Sequence, residues 1–178
     1  MKIIFYTVFA LIAFAFNSIL CRMALGGGEA DAASFTIIRL VSGAVMLAII
    51  AASIGKTKKV VKSGHWSAAF FLFLYAIAFS LAYTGLTAGT GALILFGSVQ
   101  VTMIGIALIQ GVRPGAIEWL GVAVAVSGLI YLVMPGIASP PLLEALLMAA
   151  AGFAWGSYTI RGKGSKDPLL DTAGNFIL

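Results

Sequence analysis

What this sequence has least of is charge. Asp, Glu, Lys and Arg make up 10% of its 178 residues, against about a quarter in a soluble domain. Hydrophobic residues reach 61% and the mean hydropathy is +1.09. A water-soluble fold is thereby excluded, because too little polar side chain exists to cover its surface. Cysteine occurs once, at Cys21, so no internal disulfide can form and no redox compartment follows. In its apolar run Cys21 reads as a packing residue. Histidine also occurs once, and His65 falls in a basic loop, which leaves an intramembrane Ser–His hydrolase without a base. No phosphate-cradling loop, metal-ligand cluster or nucleophile–base set is visible, so no enzymatic activity, cofactor or metal site is expected. The net charge of +5 does not point to nucleic acid, because the basic residues stand in loops between apolar runs.

What is present is a series of long apolar runs. Six candidate spans follow from window counting: Ile3 to Leu20, Phe35 to Ile54, Ala68 to Leu86, Ala92 to Gln110, Trp119 to Met134, and Leu142 to Ile160. Their lengths scatter around the ~20 residues needed to cross a hydrocarbon core. Helices are the expected spanning form, since an open strand would leave backbone groups unpaired in lipid. The runs are too continuous for the alternation of a membrane barrel. The first run is long enough to span, and Ser18-Ile19-Leu20 before Cys21 does not put the small residues of a cleavage site immediately upstream, so it reads as a retained span rather than a cleaved leader. The breaks carry turn residues: Gly26-Gly27-Gly28, Gly55, Gly89-Thr90-Gly91, Pro114-Gly115, Pro135-Gly136 and Pro140-Pro141.

Charge placement then orients the chain. Lys2, Lys56, Lys58, Lys59, Lys62, Arg113, Arg161, Lys163 and Lys166 fall on one side of an alternating six-span path. The other side carries Glu29, Asp31 and an uncharged hairpin, with Arg22 and Arg39 at or inside helix ends. The positive-inside rule makes the basic side cytoplasmic, with the amino terminus on it.

The chain also resembles itself. Phe14-Ala15-Phe16-Asn17-Ser18 aligns with Phe153-Ala154-Trp155-Gly156-Ser157, and the same register pairs Arg22 with Arg161. Five spans separate the two starts, so the copies are expected to cross in opposite directions, an arrangement that recurs in secondary transporters. In that reading four further spans would follow the sixth, and a seventh would be starting at Asn175-Phe176-Ile177-Leu178, so a fragment of a longer protein is expected.

These segments resemble the EamA-type drug/metabolite transporter superfamily over essentially the whole chain. The resemblance rests on Phe16-Asn17-Ser18, Ile38-Arg39-Leu40, the small residues of Gly89-Thr90-Gly91-Ala92, and Gly111-Val112-Arg113-Pro114. Trp119-Leu120-Gly121, Gly128 and Ala154-Trp155-Gly156-Ser157 complete it. The chain reads Phe16-Asn17 where that family commonly has Trp-Gly. Membership would imply an all-α, polytopic membrane bundle in the inner membrane of a bacterial cell. Here it would comprise six transmembrane helices: a first five-helix repeat over residues 1–136, then the first helix of an inverted second repeat within residues 142–178. The implied function is secondary transport of small metabolites or drugs, with the lipid bilayer as surroundings. A half-transporter acting as a homodimer and a non-transporting structural or interaction protein are the alternatives.

Polar groups at membrane depth are costly and mark candidate sites. Asn17, Arg39 and Tyr83 are expected at similar depth, above Gln100 near the middle of the fourth span. Together with Trp155 they are the candidate lining of a substrate cavity. Glu144, near a helix end, is expected to be solvated. The Gly85-x-x-x-Gly89 and Gly152-x-x-x-Gly156 spacings would permit close helix approach.

Overall fold

The computed structural model of the chain describes residues 2–28, 30–57, 60, 63–133 and 140–178. Seven helices of ten residues or more occur among them: α1 (Lys2–Gly26), α2 (Ala32–Ser53), α3 (Trp66–Ala82), α4 (Ala88–Ile109), α5 (Ala116–Val133), α6 (Leu142–Gly162) and α7 (Pro168–Ile177). No strand occurs among the described residues. Of the features read from sequence, Glu29, Lys58, Lys59, Lys62 and Pro135-Gly136 lie outside the described residues.

Four helices, α1, α2, α4 and α6, are long and apolar enough to cross a membrane. The chain is thus a helical membrane protein by length and composition. α3, at 17 residues, and the Ala116–Gly128 stretch of α5 are shorter apolar segments. The helix bounds differ from the apolar runs for local reasons. α1 continues through Arg22 to Gly26, because the Arg22 guanidinium leaves its own helix and donates to the carbonyls of Tyr83 and Thr84 at 3.0 and 3.1 Å. Those carbonyls lie where α3 ends, and a cation there satisfies acceptors that the helix cannot. α4 begins before the glycine cluster rather than after it. Thr87 caps it by accepting the Thr90 N–H, so Gly89-Thr90-Gly91 lies in its first turn. Asp31 caps α2 through the Ser34 N–H, and Asp167 caps α7 through the Leu170 N–H with Pro168 following.

Contacts between elements give the helix directions. The C-terminal part of α1 meets the C-terminal end of α3 through Arg22, so these two run parallel. α6 runs against α3: Glu144 near its start abuts Gly85, and Arg161 near its end lies over the Phe71 ring, 4.1 Å from its centroid. α4 and α6 run together, with Gly152 against Leu95 and Ser98 and Gly156 against Val99 and Thr102. α7 starts beside the end of α2, where Lys56 and Asp167 form an ion pair at 2.5 Å, and its Phe176 reaches Gly43.

α3 is the most enclosed helix. Tyr75, Ala76, Phe79 and Ala82 are buried, the last three fully so, against Met148, Ala151 and Ala154 of α6. In lipid the driving force for such packing is dispersion rather than escape from water, so small residues matter. Gly152 and Gly156 both face α4, as their spacing predicts. Gly85 touches Glu144, whereas Gly89 has nothing near it. α5 carries no buried side chain among its described residues, and α1 leaves large apolar side chains such as Phe5, Phe9 and Phe16 exposed.

Candidate functional site

A cavity of about 620 Å³ opens between α1, α2, α3, α6 and α7. α1 contributes Phe9, Phe14 and Asn17 to it, one face of a helix at i, i+5 and i+8. α2 contributes Arg39, Leu40 and Gly43; the missing side chain of Gly43 is what lets Phe176 of α7 enter. α3 presents Leu72, Tyr75 and Ala76, and α6 presents Trp155 and Tyr158. The wall is chiefly aromatic. Trp155 packs on Tyr75 at 4.7 Å between ring centroids, on Tyr158 at 5.5 Å, and edge-on to Phe14 at 6.1 Å. Contacts of this kind hold large, flat side chains in defined orientations.

Arg39 supplies the charge. It is the eighth residue of α2, so its Cα stands roughly 10 Å along the helix axis from the start. Its guanidinium carbon lies 5.4 Å from the centroid of Tyr75 and 5.1 Å from that of Phe79, within cation–π range. One Nη1 donates to the sulfur of Cys21 at 3.5 Å. Cys21 is buried, and its thiol faces the amide oxygen of Asn17 at 3.9 Å. Among the described residues the ion pair found is Lys56–Asp167, at the far end of α2, and no carboxylate stands in ion-pair reach of Arg39.

A second cavity, of about 470 Å³, lies at the end of the bundle where α3 and α7 begin and α6 ends. Its lining is more polar than that of the central cavity, with His65, Arg161, Ser165, Asp171 and Asn175. Asn175 accepts the His65 backbone N–H at 2.8 Å, and Ser165 donates to the Asp171 carboxylate. Tyr158 and Thr172 line both cavities and are joined to each other, the Tyr158 hydroxyl donating to Thr172 at 3.4 Å. They form the partition between the apolar cavity and the polar one.

Of the residues singled out in the sequence, Asn17, Arg39 and Trp155 come together on the central cavity. Tyr83 does not. It is fully buried in the α3–α4 turn, where its ring fills the space left by Gly91 and its hydroxyl donates to the Ala88 carbonyl at 3.3 Å. Gln100 does not either. Val99 is buried against Gly156 of α6, and Gln100, about 100° further round the helix, is turned off that seam and exposed. Glu144 is half-buried beside Gly85 rather than free in solvent.

Tyr75, Tyr158, Thr172 and Phe176 also line the central cavity, without having stood out in the sequence. A signal for the first existed: Tyr75 stands in the middle of an apolar run, where a hydroxyl needs a partner. Thr172 and Phe176 carried none, because α7 is short and its docking is tertiary. The two arginines of the internal match do related jobs at opposite ends of α3. Arg22 satisfies carbonyls at its C-terminus, and Arg161 covers Phe71 near its N-terminus.

No family model matches this chain, and no solved structure matches it. The chain is similar to the uncharacterized protein PA1977 of Pseudomonas aeruginosa, with 50% identity over 171 residues. The match takes in 96% of this chain and 59% of that protein, so the chain spans about three-fifths of the length of the curated relative.

Proposed function

We propose that this sequence forms the first part of a secondary transporter of small organic molecules, of the EamA drug/metabolite type. The observation that carries the reading is the central cavity. It lies between helices running in opposite directions, and the two copies of the internal motif, on α1 and α6, meet across its wall where Phe14 packs on Trp155. A volume of about 620 Å³ suits a small molecule, for which sites of ~300–1,000 Å³ are usual. In this reading α1 to α6 are six transmembrane helices. α1 to α5 form one repeat, and α6 and α7 open the second in inverted orientation.

Lys56, Arg161 and the segment bearing Lys163 and Lys166 share one end of the bundle. The positive-inside rule would make that end cytoplasmic, in a cell inner membrane. The polar cavity is then a vestibule on the cytoplasmic side, and the Tyr158–Thr172 pair closes it from the central site. Alternating access would exchange that partition for one at the Arg22 end. The exposed apolar side chains of α1 are the surface that further helices would cover. The relative's additional length leaves room for them.

Reconstitution in proteoliposomes tests the reading. The chain and the longer Pseudomonas aeruginosa relative are each loaded and assayed under an imposed proton gradient with radiolabelled amino acids, aromatic carboxylates and a hydrophobic cationic dye. Flux above that of empty liposomes, abolished when Trp155 becomes alanine, is the expected result. No flux of any of these through the longer protein would overturn it.

A further inference from the structure

We infer that the central cavity binds an organic anion: a single carboxylate held by Arg39, attached to an aromatic or bulky apolar body that lies against Trp155. The inference rests on the transport reading only in taking this cavity as the substrate's site, and it adds the chemical class of the occupant.

Arg39 carries a charge that no carboxylate compensates among the described residues. A guanidinium has five N–H donors and stays protonated under all ordinary conditions. The acceptor that Arg39 meets is the weakly accepting Cys21 sulfur. Two aromatic faces complete its surroundings. A cation at membrane depth without an anionic partner is costly, and that cost falls when an anion arrives. Planar, bidentate geometry makes carboxylate the matching partner.

The rest of the wall selects the body. Among the described residues no Asp or Glu lines the cavity, so a cationic substrate would meet Arg39 with nothing to neutralise it. Phe9, Phe14, Leu72 and Phe176 offer no hydrogen bonds, which argues against a sugar or any other molecule polar all round. Asn17 stands beside the Cys21 that touches Arg39, close enough to the charged end to supply one neutral donor to the same head group. The geometry therefore suits a molecule with one charged head and an apolar tail. The head lies at the α1–α2 side and the tail extends toward the Trp155–Tyr158 stack.

The test is a binding measurement on the full chain in a neutral detergent, with Trp66 and Trp119 replaced by phenylalanine so that Trp155 alone reports. Phenylacetate, phenylacetamide and phenethylammonium are the probes; they share a ring and differ in the head. Phenylacetate is expected to quench Trp155 at concentrations at least tenfold below those needed by the other two. Arg39→Gln should remove that preference while leaving the weak binding of the amide unchanged, and Arg39→Lys should retain part of it. Equal binding of all three probes to the otherwise unaltered chain would overturn the inference, and so would preference for the ammonium. A preference for phenylacetate abolished by vesicles of anionic lipid would also overturn it, since a lipid head group would then be the occupant. The outcome separates from that of the transport assay. Binding without flux would sink the transporter reading and leave the anion site, whereas flux confined to neutral or cationic compounds would do the reverse.

Discussion

Replacing Gly152 by alanine adds one methyl group, and the structure says where it would go. A Cβ at this position would stand 2.5 Å from the Cβ of Ser98, 2.6 Å from the Leu95 carbonyl oxygen and 3.2 Å from the Val99 nitrogen. Two of these atoms are backbone of α4 and the third is fixed to it, so none can swing aside. Non-bonded carbon atoms prefer about 3.5–4.0 Å, so α4 and α6 must separate locally by about 1 Å. A gap of that size forfeits a quarter to a half of each dispersion contact along the seam. In lipid those contacts are most of what holds two helices together. Overpacking of this kind costs about 1–3 kcal/mol, which is roughly a 5- to 150-fold loss in the folding equilibrium. Gly105, also within a helix of this pair, supplies the control. Nothing lies within 4 Å of its added Cβ, so alanine there should gain about 0.5–1 kcal/mol through lower chain entropy. The two Gly→Ala changes should therefore move the midpoint in opposite directions when unfolding of the purified chain in detergent is followed by tryptophan fluorescence. If G152A melts at or above the unaltered protein while G105A melts below it, the close approach of α4 and α6 is wrong.

Four further outcomes are expected. Arg22→Leu should cost about 1.5–3 kcal/mol for lost charge-assisted bonds to the Tyr83 and Thr84 carbonyls, nearer the lower figure because Arg22 is only half-buried; an unchanged melting temperature would remove its capping role. The Lys56–Asp167 pair is partly exposed, at 43% and 32% of the two side chains, so Lys56→Ala should cost no more than about 1 kcal/mol. Asp167→Ala should cost more, because α7 then also loses its N-cap, worth about 0.5–2 kcal/mol; equal losses in thermal unfolding would contradict this. Hydrogen bonds, first from the Ser34 side chain and then from its backbone N–H, hold the Asp31 carboxyl below its ordinary value of 3.8. A depressed carboxylate stabilises fully above the unfolded value and loses its contribution as pH falls through the lower folded one. Amide exchange at Ser34 should thus stay protected from pH 7 to pH 5, and loss of protection at pH 5 would refute the cap. Finally, Tyr158→Phe should leave stability within about 1 kcal/mol, since its bond to Thr172 is long, while changing the rate of any flux seen in proteoliposomes; an unaltered rate would mean that the pair does not partition the path.

The candidate site was legible in parts. Asn17, Arg39 and Trp155 stood out because polar, charged or bulky side chains at membrane depth need a reason to be there, and the structure gathers all three on one cavity. Tyr83 and Gln100 stood out by the same argument and are placed elsewhere. Depth is a one-dimensional coordinate, and it does not say which way round its helix a residue faces. For Gln100 the facing is set by Gly152 and Gly156 drawing Val99 inward. For Tyr83 it is set by the empty volume at Gly91. The boundaries tell the same story: Arg22 looked like the end of an apolar run, yet the helix passes through it because its guanidinium is hydrogen-bonded to carbonyls at the end of another helix.

Composition and apolar run length were enough by themselves to determine a helical chain that lives in lipid, because backbone groups in hydrocarbon must be paired within the segment that carries them. Charge placement alone separated nine of the eleven Lys and Arg residues from Arg22 and Arg39 along the expected path. Tertiary structure alone decided which helices touch, which glycines are seams rather than breaks, and which polar residues share a cavity. The physical reason is that in lipid every face of an apolar helix is equally soluble, so the pattern of apolar residues carries little information about what the helix packs against. Shape supplies that information, and shape exists only once the helices have met.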